Sequence, residues 1–194
     1  MTRLARPDEL HSSDDLDVAR AHIGAVTAPA LDAVRRQMLE FVDTHPDALL
    51  RSCAPGHLTG SALVVDPQTR RVLVLHHTKL RRWLQPGGHA DGDANLAAVA
   101  LREATEETGI DGLRVAVPAI DLDVHLVEPP REAPHHHHDV RFLVVAPPGA
   151  TATGNHESTA LRWVDADELP ALGCDVGLQR LASAALGALG SLDL

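Results

Sequence analysis

Three glutamates, Glu103, Glu106 and Glu107, crowd the end of the segment PGGHADGDANLAAVALREATEETGI, residues 86–110. On a helix of about 100° per residue with Leu96 at zero, Glu103 falls near about −20° and Glu107 near about 20°. Both lie inside the apolar arc set by Leu96, Val99, Ala100 and Ala104, and Glu106 sits at its edge. A solvated acidic face is the plain reading of clustered glutamates. It fails here because acids in the apolar arc point at the protein body, and like charges three and four residues apart repel with no lysine nearby. Arg102 lies outside that arc. Partly buried carboxylates must be paired, protonated or bound to a cation, and an all-oxygen donor set suits a hard ion such as Mg²⁺ or Mn²⁺. Such ions keep waters and meet the phosphate oxygens of a substrate.

The elements that must position these acids follow from the pattern around them. Residues 93–108 read as a helix with Asp93 as N-cap and Gly109 as a left-handed stop. SALVVD and RVLVLHH, separated by PQTR, read as a hairpin after the loop CAPGHLTG, and a further loop runs through Trp83 to PGG. AIDLDVHLV alternates Ile120, Leu122, Val124 and Leu126 against Asp121, Asp123 and His125, a half-buried strand with a polar face. EPPREAPHHHH reads as a proline-bounded loop, DVRFLVVAP and TALRWV as strands, and residues 176–189 as a closing helix. Ahead of all this, residues 1 to about 25 read as a loose polar leader. They precede an amphipathic helix with Leu31, Val34, Met38, Phe41 and Val42 on one face. Hairpin, helix, more strands and a final helix imply an α+β chain in α/β/α layers. Two parts are expected: residues 1–52, a leader and amphipathic helix, and residues 53–194, the main domain.

The 194 residues carry a formal charge of −10, 13 histidines, no Tyr and 2% aromatics, so the core is aliphatic. That charge argues against a nucleic-acid polymer as partner, since phosphate-backbone affinity comes from Lys and Arg. Cys53 and Cys174 fit no zinc or redox spacing and read as reduced thiols. With no signal-like or membrane-length apolar run, the expectation is a cytoplasmic protein away from membranes.

The acidic segment resembles the box of the Nudix hydrolases, G-x(5)-E-x(7)-R-E-U-x-E-E-x-G-U with U aliphatic. Gly88, Arg102, Glu103, Glu106, Glu107, Gly109 and Ile110 match its fixed positions and Ala104 its remaining U. The resemblance implies a Nudix fold, an α/β/α sandwich around a mixed sheet with an N-terminal helical extension. It implies Mg²⁺- or Mn²⁺-dependent hydrolysis of a small-molecule diphosphate, such as a nucleoside diphosphate derivative. Glu103, Glu106, Glu107 and the Gly87 carbonyl would hold the metal. Gly88, Arg102 and Gly109 would be structural, and Glu157 would be an extra catalytic acid unless it is a solvent-facing loop residue. A ligand-binding or regulatory module on the same fold, with catalysis weakened or lost, is the alternative. It has one support: Ala94 stands where the family has its first glutamate. Asp91 or Asp93 is a candidate to take over that residue's contact with Arg102.

Other residues are candidates for substrate contact. His76, His77, Lys79, Arg81 and Arg82 make a basic stretch before WLQPGG that would suit an anion, or a solvated loop that balances the acidic helix. Trp83 either stacks a base or plugs the core. In the run His135–His138, consecutive residues of an extended segment cannot all face one ion. One or two of them, His137 in particular, either touch substrate or simply make the loop polar. The chain is expected to be a monomer or homodimer, the helix at 29–45 packing on its own domain or on a neighbour.

Overall fold

Ten consecutive buried residues, Gly56–Val65, form the strand around which the chain is organised. A computed structural model describes residues 2–130 and 132–192. In chain order the strands are β1 (Arg3–Ala5), β2 (Gly56–Val65), β3 (Val72–His77), β4 (Trp83–Leu84), β5 (Gly87–His89), β6 (Arg114–Val117), β7 (Asp121–Val127), β8 (His135–Val145) and β9 (Ser158–Val164). The helices are α1 (Leu16–Gly24), α2 (Asp32–Thr44), α3 (Leu96–Thr108) and α4 (Val176–Leu189). β2 runs parallel to β8 over its whole length, from Gly56↔His136 to Val65↔Val145, and all other pairings are antiparallel. β5 and β3 take opposite ends of the remaining edge of β2, and β7 and β6 do the same on β8. Among the described residues the result is one mixed nine-stranded sheet.

Strand alternation then assigns two cores. Leu58, Ala62 and Val64 of β2, with Val140, Phe142 and Val144 of β8, pack under α1, α2 and α3. Leu63, Val65, Leu143 and Val145 point the other way, against Leu178, Leu181 and Ala185 of α4. This is the expected α/β/α sandwich around a mixed sheet, with helices ahead of it at the N-terminal end. None of the described helices is long and apolar enough to cross a membrane.

Several local expectations are corrected. The stretch expected as a loose leader is structured: Arg3–Ala5 pairs with β6 in register Leu4↔Ala116, and α1 buries Ala19 and Ile23 completely. Its stripe is narrow, one residue per turn in nine, and too weak for periodicity to reveal. For the helix at 29–45 no correction is needed: of its two alternatives it takes its own domain, where the Phe41 ring stacks on His138 at 3.9 Å. α3 begins at Leu96, capped by Asn95, whose side chain accepts from Ala98 N; Asp93 instead accepts from the backbone N of Ser13 and Asn95. CAPGHLTG is a loop only as far as Pro55, and His135–His138 belong to β8 rather than to a loop. The polar face of β7 is partly buried, with Asp121 1% exposed.

Candidate active site

The end of α3 turns its acids toward β5. Glu107 is 6% exposed and makes no ion pair among the described residues, Glu103 is partly buried and Glu106 is exposed. Gly88 makes room for Glu103, since a Cβ there would lie 2.5 Å from Glu103 Cδ and 2.6 Å from Oε2. The carboxylate therefore rests on bare backbone. Burial pushes the Glu107 carboxyl up to about 8, with the charges of Glu103 and Glu157 adding to the effect and a backbone hydrogen bond from Gly87 opposing it. Burial raises Glu103 as well, against the pull of Arg102.

Glu157 reaches this cluster because its loop satisfies carbonyls that the helix end leaves open. Thr153 N and Gly154 N donate to Thr108 O at 2.9 and 3.2 Å, and Asn155 Nδ2 donates to Glu106 O at 3.1 Å. Glu157 N is then held by Asn155 Oδ1 at 2.8 Å. Gly109 ends the helix with φ 65°, and a side chain there would also collide with Thr153 Oγ1. Gly87, Gly88, Glu103, Glu107 and Glu157 thus meet at one place, with Glu106 on the outer flank of α3.

The position of the absent box glutamate is filled differently. Ala94 is fully buried, and its N–H donates to the carbonyl of Ser13. Asn95 Nδ2 donates to His11 O at 3.0 Å, so the segment 11–13 lies across the loop ahead of α3. Neither aspartate takes over the contact with Arg102. Asp91 forms a two-pronged pair with Arg51, both bonds at 2.7 Å, and Asp93 is spent on backbone N–H groups. Arg102 is largely exposed and touches Glu103 at 3.4 Å.

The basic stretch sits beside the acids. Lys79 and Arg82 are exposed at the β3–β4 turn, His77 Nδ1 accepts from the N–H groups of Lys79 and Leu80, and Thr78 N donates to Glu157 O at 2.8 Å. His76 bonds Thr159 Oγ1 at 2.7 Å and meets Trp83 edge-on. Trp83 packs half-buried against the core under α4, with the Arg162 guanidinium 5.9 Å from its ring centre. His137 stands apart from this group. It lies on the sheet face turned away from α3, directly across from His57.

On that same face, next to His137 along β8, is a buried ionic network that the sequence did not reveal. Arg141 donates to Asp139 at 2.7 Å and to Asp123 at 3.1 Å, Arg180 to Asp121 at 2.8 Å, and Asp139 also accepts from Thr59 and Ser61. The signal was the alternation of Asp121 and Asp123 with apolar residues, but their partners lie far along the chain.

Comparison with known proteins agrees with this geometry. The NUDIX domain model matches residues 56–182. An Ap4A hydrolase of C. elegans, solved as a binary complex, superposes with a TM-score of 0.56 at 16% identity, covering 70% of this chain and 98% of that one. A NUDIX-family hydrolase from Clostridium perfringens gives 0.53 at 23% identity over 71% and 98% of the two chains. The NUDIX domain of Shewanella oneidensis NrtR, complexed with ADP ribose, gives 0.53 at 16% identity over 77% and 97%. No curated protein matches the chain. These likenesses carry the fold, and the family model together with the glutamates of REATEETG on the buried end of α3 carries the membership: the chain belongs to the Nudix hydrolase family.

Proposed function

We propose that the protein hydrolyses a diphosphate linkage in a nucleoside diphosphate derivative or a similar organic diphosphate, with Mg²⁺ or Mn²⁺. The observation that carries this reading is Glu107, a carboxylate 6% exposed and without an ion pair among the described residues, crowded by Glu103 and Glu157. Such an arrangement is costly unless a cation joins it. The groups of this cluster, Glu103, Glu106, Glu107 and the Gly87 carbonyl, all offer oxygen, which fits a hard divalent ion held among them. Bound there, the metal would neutralise charge on the diphosphate oxygens and lower the pKa of an attacking water.

The chain's own residues supply the rest. Glu157 lies close enough to Glu107 to raise its pKa, a place from which it can take the proton of the water. Lys79, Arg82 and His76 on the adjoining turn offer positive charge and a hydrogen-bonding ring to an anionic substrate. An Ap4A hydrolase and NrtR in complex with ADP ribose share the fold, and Ap4A, a dinucleoside tetraphosphate, and ADP ribose both contain phosphoric anhydride linkages, which supports the substrate class. Ala94 favours the second reading, a ligand-binding module with weakened catalysis.

Cleavage of dinucleoside polyphosphates, nucleotide sugars, NADH, ADP-ribose and oxidised deoxynucleotides to phosphomonoester or nucleotide products, resolved by chromatography, with Mg²⁺ or Mn²⁺, separates the two. Metal-dependent turnover of at least one compound is expected. Retained binding without any turnover would leave only the ligand-binding module.

A further inference from the structure

Strands β7, β8, β2 and β5 lie side by side, and each places a histidine on the face turned away from α3. His125 stands opposite His137, and His137 opposite His57. His89 stands opposite Thr59, one same-face step along β2 from His57. One ring nitrogen from each of His57, His89 and His137 lies within 4.8 Å of the other two. The His57 ring centre is 4.9 Å from those of both His89 and His137. His57 is 1% exposed, and neither of its ring nitrogens has a hydrogen-bond partner among the described residues.

Imidazoles make poor apolar packing, because each carries a donor and an acceptor that burial strips of water. The convergence of three unspent ring nitrogens has a direct chemical use. We propose that His57, His89 and His137 form a second metal centre, separate from the carboxylate cluster, for a divalent ion of the Zn²⁺ class. Neutral imidazole selects such borderline ions, whereas the carboxylates beside α3 select hard ones. Zn–N bonds of about 2.0–2.1 Å place tetrahedral ligand atoms roughly 3.4 Å apart, so the rings need draw in by at most roughly 1.4 Å, within reach of side-chain rotation. The flanking rings are already committed: His125 Nδ1 donates to Asp123 Oδ2 at 3.0 Å and His135 Nδ1 to Ala133 O at 2.9 Å. Three protein ligands leave the fourth position for water or a ligand oxygen.

The test is metal titration of the full chain, freed of metal and returned to Zn²⁺ or Co²⁺ near neutral pH. One equivalent of Zn²⁺ should survive desalting, and Co²⁺ should give the strong visible bands of a four-coordinate site. His89→Gln and His137→Gln, each at a half-buried position, should weaken binding at least about tenfold. Glu106→Gln should leave it unchanged, which separates this centre from the carboxylate site and makes the result independent of hydrolytic activity. Failure of the wild-type chain to retain Zn²⁺, binding that survives both histidine variants, or loss with Glu106→Gln would each overturn the proposal. Should either histidine variant misfold, imidazole NMR of the wild-type chain decides, with Zn²⁺-induced shifts centred on His57, His89 and His137 expected and shifts centred elsewhere contradicting it.

Discussion

Replacing Glu107 by Gln should make the metal-free protein more stable while removing its activity. Free of the fold, the carboxyl ionises at its ordinary value of 4.5; burial and the neighbouring charges raise it to about 8. Between those values the folded chain binds more protons than the unfolded one, so the metal-free protein loses stability as pH rises through that window. At about pH 7 the penalty is on the order of 3 kcal/mol, from ~1.4 kcal/mol for each pH unit above 4.5. The amide has no such penalty and keeps the same volume. For a chain of this length about 1 kcal/mol moves Tm by ~2–4 °C, so Glu107→Gln in EDTA should melt roughly 6–12 °C above wild type at about pH 7. The gap should close toward about pH 5. The assay is a pair of melting curves across pH, run without metal, beside turnover with saturating Mg²⁺, which should fall at least ~100-fold. A variant that melts at or below wild type in EDTA at about pH 7 would refute the claim that Glu107 is a strained, cation-seeking carboxylate.

Three further outcomes follow from particular contacts. Ala94→Glu must drive a longer side chain into a fully buried site under Ser13, so it should destabilise by about 2–4 kcal/mol without raising turnover; a large gain in turnover would show that the loop still lacks its glutamate. Gly109→Ala, strained at φ 65° and blocked by Thr153, should cost about 1–3 kcal/mol, read by chemical denaturation. Arg141→Met leaves Asp139 buried without its guanidinium and should cost about 3–5 kcal/mol, read by chemical denaturation.

What could be read before the structure, and what could not, divides along physical lines. Helical periodicity is local, so placing Glu103 and Glu107 on the apolar arc needed only 3.6 residues per turn, and the glycine stop at 109 needed only the position after that arc. Asp93 and Asn95 are both good caps two residues apart, and the choice between them depended on Ser13, which arrives from 80 residues away. The same distance hid the histidines. His57 and His137 become neighbours only through a parallel register between β2 and β8, and alternation along β8 then sends His135 and His137 to one face and His136 and His138 to the other. Local spacing had suggested a polar loop there, because the pairing partner that makes it a strand is remote.

The central proposal is that a divalent metal at the α3 carboxylates drives diphosphate cleavage. Its most direct test is the turnover of the best diphosphate substrate as Mg²⁺ or Mn²⁺ is titrated, for the wild-type chain and for Glu106→Gln, whose exposed side chain leaves the fold intact. Saturable, metal-dependent turnover in wild type that falls at least ~100-fold in the variant is the predicted result; turnover indifferent to metal, or near-normal in Glu106→Gln, would contradict it.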